Sequence, residues 1–180
     1  MKNLEEKTIG SKILYNGKII DLMLEDVELP DGNKSQREVV KHPGAVAVIA
    51  MTPENKMVLV RQYRKPLNRT IVEIPAGKLE KGEAPESCAR RELEEETGYR
   101  SDRLTHVKSF YTSPGFADEL VHLYFTDSLE KGNVQLDEDE FVELMEVTLD
   151  EAIELMMTNE IYDAKTAFAV QYLQLKYMGE

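Results

Sequence analysis

The stretch Gly77-Lys78-Leu79-Glu80-Lys81-Gly82-Glu83, continuing through Ala84-Pro85-Glu86-Ser87-Cys88-Ala89-Arg90 to Arg91-Glu92-Leu93-Glu94-Glu95-Glu96-Thr97-Gly98-Tyr99, decides how the chain is read. Residues 86–96 hold no Pro or Gly and are rich in helix formers. Pro85 stands where a first-turn proline is tolerated, and Gly98 stands where a helix end favours a left-handed residue. The segment therefore reads as a loop followed by a helix. On that helix Glu92, Glu95 and Glu96 are spaced i, i+3 and i+4, so they share one face, with Arg91 directly before them. Like charges so spaced destabilise a helix by about a few tenths of a kcal/mol per pair. Such a cluster invites a cation, and carboxylate oxygens are the hard ligands that Mg²⁺ and Mn²⁺ prefer. A glutamate-rich helix is more often just a solvated face. The loop argues otherwise: Gly77 after a strand, then Gly82 and Glu83, make a tight connection able to aim a fourth carboxylate and backbone carbonyls at the same face.

Working outward, Ile71-Val72-Glu73-Ile74-Pro75 reads as a short strand leading into the loop. Before it, Ala45-Val46-Ala47-Val48-Ile49-Ala50 is continuously apolar, as expected of a strand buried on both faces. A turn at Thr52-Pro53-Glu54-Asn55-Lys56 returns the chain along Met57-Val58-Leu59-Val60-Arg61-Gln62-Tyr63-Arg64, which predicts a hairpin. Nearer the N-terminus, Asn16-Gly17 and Pro30-Asp31-Gly32-Asn33 are turns between extended segments, giving an antiparallel sheet that packs on its own body or on a second subunit. Beyond the helix, residues 107–112, 120–125 and 141–147 read as strands. Thr148-Leu149-Asp150-Glu151 is a capping box opening a helix to about residue 158. The last segment, from Asp163 to about Tyr177, has apolar residues at helical spacing. This order predicts an α+β or α/β protein with a mixed sheet between helices.

Bulk properties agree with a folded, enzyme-sized unit. The chain has 180 residues, 42% hydrophobic and 31% charged, with a formal net charge of −12. That charge repels nucleic-acid backbones and anionic membranes, and leaves small anionic substrates possible only with local basic groups or bound cations. Cys88 is the only cysteine, so no intrachain disulfide forms. Met1-Lys2-Asn3-Leu4-Glu5-Glu6-Lys7 lacks the apolar core of a signal peptide, and the apolar run from Ala45 to Met51 is too short to span a bilayer. A cytoplasmic protein is expected. Cys88 reads as core rather than nucleophile, and His42, His106 and His122, lacking metal-ligand spacing, read as structural.

The decisive stretch resembles the Nudix box, Gly-x5-Glu-x7-Arg-Glu-U-x-Glu-Glu-x-Gly-U with U a bulky aliphatic. Gly77, Glu83, Arg91, Glu92, Leu93, Glu95, Glu96 and Gly98 match in register; Tyr99 departs at the last position and reads as a packing variant. The resemblance implies an α/β/α sandwich with the mixed sheet between helices, spanning residues 42–180, and an N-terminal β extension over residues 1–41. It implies a Mg²⁺ (or Mn²⁺) cofactor held by the carbonyl of Ala76 with Glu92, Glu95 and Glu96, Glu92 and Glu95 taking part in catalysis. Gly77, Glu83, Arg91 and Gly98 would be structural, Arg91 orienting a glutamate.

Outside the box the chain is similar to the ADP-ribose pyrophosphatases. The likeness covers Arg37-Glu38-Val39-Val40, Val60-Arg61-Gln62-Tyr63-Arg64, the lead Glu73-Ile74-Pro75-Ala76, the placing of Pro114 and Gly115 after the box, and Asp163-Ala164-Lys165-Thr166. It implies a small-molecule substrate, a nucleoside diphosphate sugar, bound by Arg37, Arg64, Glu73, Pro114 and Gly115, with AMP and ribose 5-phosphate as products from ADP-ribose. Arg61, three residues from Arg64, would face the other way. In the acidic segment Leu136-Asp137-Glu138-Asp139-Glu140, Glu138 would be the general base and Glu140 a further metal ligand, or the two would exchange roles. A homodimer with exchanged N-terminal sheets would bring Arg37 to a partner's site. The alternatives are another nucleoside diphosphate sugar, such as GDP-mannose, or a non-catalytic sensor of ADP-ribose; an intact box speaks against the sensor.

Overall fold

Residues 4–133 and 141–178 of the computed structural model are described. The strands are β1 (Lys7–Asn16), β2 (Asp21–Glu28), β3 (Lys34–Lys41), β4 (Ala45–Ala50), β5 (Met57–Arg64), β6 (Arg69–Glu73), β7 (Ala76–Lys78), β8 (Tyr99–Arg100), β9 (Thr105–Tyr111), β10 (Leu120–Thr126), β11 (Glu130–Lys131) and β12 (Val142–Val147). The helices are α1 (Pro85–Thr97), α2 (Leu149–Met157) and α3 (Ala164–Met178). The chain folds as two compact units: Met1–Gly44 with Phe110–Leu120, and Ala45–Ser109 with Val121–Glu180.

In the first unit β1, β2 and β3 form an antiparallel meander. Gly17 N–H closes the first turn on Ile20 O at 3.0 Å, so the connection is longer than the two-residue turn that Asn-Gly predicts. The segment Phe110–Leu120 joins the end of β3: Val40 N–H donates to Phe116 O at 2.7 Å and Asp118 N–H to Val40 O at 3.1 Å.

The second unit holds two main sheets. One runs β7-β4-β10-β9, with β10 parallel and β7 antiparallel to β4; the other runs β12-β5-β6, all antiparallel. The mixed sheet and the helices agree with the α+β expectation. The predicted hairpin is corrected: β4 and β5 lie in different sheets, joined by a lone bridge between Met51 and Met57. Both strands are apolar enough to be buried, and each finds two other neighbours. Val46, Ala47, Val48, Ile49 and Ala50 are fully buried, as are Met57, Val58, Leu59 and Val60.

Helix α1 packs Cys88, Ala89 and Leu93 onto Val46, Val48, Ala50, Val58 and Tyr124. Burying such side chains contributes about 1.5–3 kcal/mol for each large aliphatic one. This leaves the carboxylate face of α1 turned toward β7. Pro85 fills the first turn, and Gly98, at φ 69°, ends the helix with its N–H on Glu94 O at 2.8 Å. α2 carries the predicted capping box, Thr148 with Glu151. At the start of α3, Asp163 Oδ1 accepts the N–H groups of Lys165 (3.1 Å) and Thr166 (3.2 Å), a side-chain cap.

Candidate active site

The box residues come together where β7 meets α1. A Cβ added to Gly77 would fall on the Glu92 carboxylate, so the glycine is what lets that carboxylate lie against the strand. Glu96 is 4% exposed and its Oε2 accepts the Ala76 N–H at 3.0 Å, tying the helix to the residue before the box glycine. Arg91 bridges the acidic groups: Nε and Nη2 to Glu83 (both 3.0 Å), Nη1 to Glu92 (2.8 Å) and Glu95 (2.9 Å). The bidentate grip of Arg91 holds the Glu83 carboxyl down at about 2, so it stays ionised at any working pH. Arg91 is raised above its usual value chiefly by the same bond.

Cys88 belongs to this framework and not to the chemistry. Its thiol donates to Lys78 O at 3.3 Å, and burial first, then the Glu83 bond, push its pKa up to about 12.

A second group of charges lies beside the first. Arg64, at the end of β5, donates to Glu73 through Nε (2.6 Å) and Nη2 (3.1 Å). Lys165 also binds Glu73, and reaches Asp163 at 2.9 Å. Burial works against the charge on Arg64, but the Glu73 pair and the nearby Glu96 and Asp163 more than offset it and leave its pKa raised. Glu73 is 2% exposed with both oxygens engaged. Glu73, expected to meet substrate, is here a buried carboxylate that holds Arg64, which keeps 38% of its side chain exposed.

The remaining predicted residues fall elsewhere. Arg61 turns to Glu160 at 2.8 Å, away from Arg64, as strand alternation requires. Arg37 sits in the first unit, paired with Glu6 through Nε (2.8 Å) and Nη2 (2.6 Å). Pro114 and Gly115 are exposed in the same unit, and an added Cβ at Gly115 meets nothing within 4 Å. Glu138 and Glu140 lie outside the described residues. Of the histidines, His106 Nε2 and His122 Nδ1 share the Ser109 hydroxyl (2.9 and 2.8 Å), while His42 Nδ1 accepts the Gly44 N–H at 3.1 Å. Sequence reasoning gave no task to Lys165 or Thr166. The Asp-x-Lys-Thr at the head of a helix signals a cap, but nothing in it reveals a partner on β6.

The donor set tests the expected metal. Glu83, Glu92, Glu95, Glu96 and the backbone of Ala76 offer oxygen alone, as Mg²⁺ and Mn²⁺ require, and the space left by Gly77 admits the Glu92 carboxylate. Among the described residues no three such groups stand arranged to hold an ion, since Arg91 engages Glu92 and Glu95, and Ala76 engages Glu96. The residues fit a hard divalent cation by chemistry, with Arg91 as the competing cation.

The family model for the NUDIX domain matches residues 41–168. The chain belongs to the Nudix family. A second model, the nucleoside diphosphate sugar hydrolase N-terminal domain, matches residues 6–40 of this Nudix chain. The chain is 64% identical over 178 residues to an ADP-ribose pyrophosphatase of Bacillus subtilis (strain 168), covering 98% of this chain and 96% of the relative. It is 59% identical over 177 residues to a methanol dehydrogenase activator of Bacillus methanolicus, covering 97% and 96%. The fold matches the crystal structure of an ADP compounds hydrolase at a TM-score of 0.86 and 19% identity, covering 99% of this chain and 98% of that one.

Proposed function

We propose that this Nudix chain is a divalent-metal-dependent pyrophosphohydrolase that cleaves ADP-ribose. Water enters at one phosphorus, the P–O–P bond breaks, and AMP and ribose 5-phosphate leave. The observation that carries the substrate is the 64% identity, over almost the whole chain, to a relative named ADP-ribose pyrophosphatase. The intact Gly77–Gly98 box supports the reaction class.

Glu92, Glu95, Glu96 and the Ala76 carbonyl would hold Mg²⁺ or Mn²⁺, with Glu140 as a further ligand. Such an ion would supply positive charge against phosphoryl oxygens and acidity to a water. Glu92 and Glu95 serve catalysis through that site. Arg91 and Glu83 keep the helix carboxylates in place. Arg64 offers its outer N–H groups to a phosphate, and Glu138 takes the proton from the attacking water. Arg37, Glu73, Pro114 and Gly115 bind the nucleotide sugar. The test is incubation with ADP-ribose and Mg²⁺, reading AMP and ribose 5-phosphate by chromatography beside a panel that includes GDP-mannose. An enzyme inert to ADP-ribose and active on another member overturns the substrate.

The working form is a homodimer joined through the N-terminal sheet, residues 1–41, with residues 42–180 catalytic. The motive is the apolar exposure of β1 and the turn after it: Ile9, Ile13, Leu14, Tyr15 and Ile19 are all more than 44% exposed. Light scattering at micromolar concentration should give twice the 20.6 kDa chain mass, and a monomer sinks the idea. The place of work is the cytoplasm, in keeping with a single buried thiol; no helix among the described residues is long and apolar enough to cross a membrane.

The relative named as a methanol dehydrogenase activator favours a second reading, in which the chain also stimulates a dehydrogenase. Adding Glu96→Gln to such a dehydrogenase separates two cases: activation by binding alone survives the substitution, and activation by hydrolysis does not.

A further inference from the structure

Three elements converge on one buried carboxylate. Glu73, at the end of β6, receives Arg64 from the end of β5 and Lys165 from the first turn of α3. Lys165 is itself only 13% exposed and is anchored at 2.9 Å to Asp163, the residue that caps α3. The next residue, Thr166, is fully buried and accepts the Ile74 N–H at 3.0 Å. Two consecutive residues of α3 therefore grip Glu73, the last residue of β6, and Ile74, which follows it on the way to Ala76 and Gly77.

One cation would suffice to neutralise Glu73. A second matters for geometry. A glutamate side chain rotates about its own torsions, so a carboxylate held by Arg64 alone moves with it, and the pair swings as one arm. Lys165 shares Oε1 with Arg64 Nη2 and fixes that oxygen from a third direction. Arg64 spends Nε and Nη2 on Glu73, which leaves its Nη1 end as the fork's outer donor. Its side chain is 38% exposed. It also lies near enough to Glu96 for the two charges to influence one another. Preorganised donors bind an anion better than mobile ones because less freedom is lost on binding.

We infer that Lys165 is a positioning residue for substrate binding: it locks the Glu73 carboxylate, and through it holds Arg64 ready to take a phosphate of the nucleotide sugar. This rests on the pyrophosphohydrolase reading above and adds a residue to it. The competing role is plain charge balance, Lys165 neutralising Asp163 and Glu73 with no effect on Arg64.

The test is a double-mutant cycle on the full chain with ADP-ribose and Mg²⁺. Lys165→Met should raise KM about tenfold and leave kcat within about twofold, the pattern of lost binding rather than lost chemistry. Arg64→Ala/Lys165→Met should show a KM within about twofold of Arg64→Ala alone, because Lys165 acts only through Arg64. Additive losses of KM, or a fall in kcat at unchanged KM, overturn the inference. A second readout needs no substrate: the ¹⁵N–¹H resonance of Arg64 Nε should shift or broaden in Lys165→Met, and an unmoved resonance overturns the positioning role. Lys165→Gln, which keeps most of the volume and a donor, takes the same two measurements if the methionine variant does not fold. A wild type inert to ADP-ribose defeats the substrate reading alone, because the Arg64 resonance still decides the role of Lys165.

Discussion

Glu96→Gln is expected to lower kcat for ADP-ribose hydrolysis by on the order of a thousandfold, the scale of several kcal/mol that a bound metal contributes to charge stabilisation. The substitution is chosen to spare the fold. Glu96 is 4% exposed and accepts the Ala76 N–H at 3.0 Å, and a glutamine carbonyl accepts the same bond in the same volume. What disappears is the negative charge. Thermal unfolding should therefore move little while AMP release, read by chromatography, collapses. If the variant keeps more than about a tenth of wild-type kcat, Glu96 does not hold a catalytic metal.

The second large effect comes from one methyl group. Gly77→Ala places a Cβ where the Glu92 carboxylate lies. The atoms it meets are the far end of a flexible side chain and not backbone, so Glu92 swings aside and the protein folds. Its melting temperature should stay within a few degrees, the scale of about 1 kcal/mol in a domain of this size. Activity should drop about a hundredfold, because a misplacement of about 1 Å costs that much at a catalytic constellation. A destabilised protein with normal activity per folded molecule would mean that Gly77 serves packing and that Glu92 works from another position.

Much of this was legible in the chain. The helix α1 was, because Pro85 and Gly98 bracket an uninterrupted run of helix formers and the glutamate spacing exposes a shared face. The α2 cap was, because Thr148 and Glu151 satisfy each other locally. What depends on distant partners was not. The apolar runs of β4 and β5 state that both strands are buried, but nothing in an apolar run names its neighbour, so a close turn between them read as a hairpin when the strands in fact part into two sheets. The two cations on Glu73 were not legible, because neither is local: Arg64 lies across a strand pair, and Lys165 lies 92 residues further on. The pairing of Arg37 with Glu6 was not legible either, since the two stand 31 residues apart.

That 92-residue separation bears on how the protein is made. The Glu73 to Lys165 bond and the Ile74 to Thr166 bond, also 92 residues apart, close only after the chain has been made as far as α3. Contacts so distant in sequence form late, because the loop they close must first give up its freedom. A nascent chain that has already left the ribosome as far as Tyr99 thus carries the whole box and none of the support that α3 lends to Glu73 and Ile74. Enzyme activity consequently reports on completion of the C-terminal helix, and a chain cut short of α3 should bind nucleotide poorly however intact its motif.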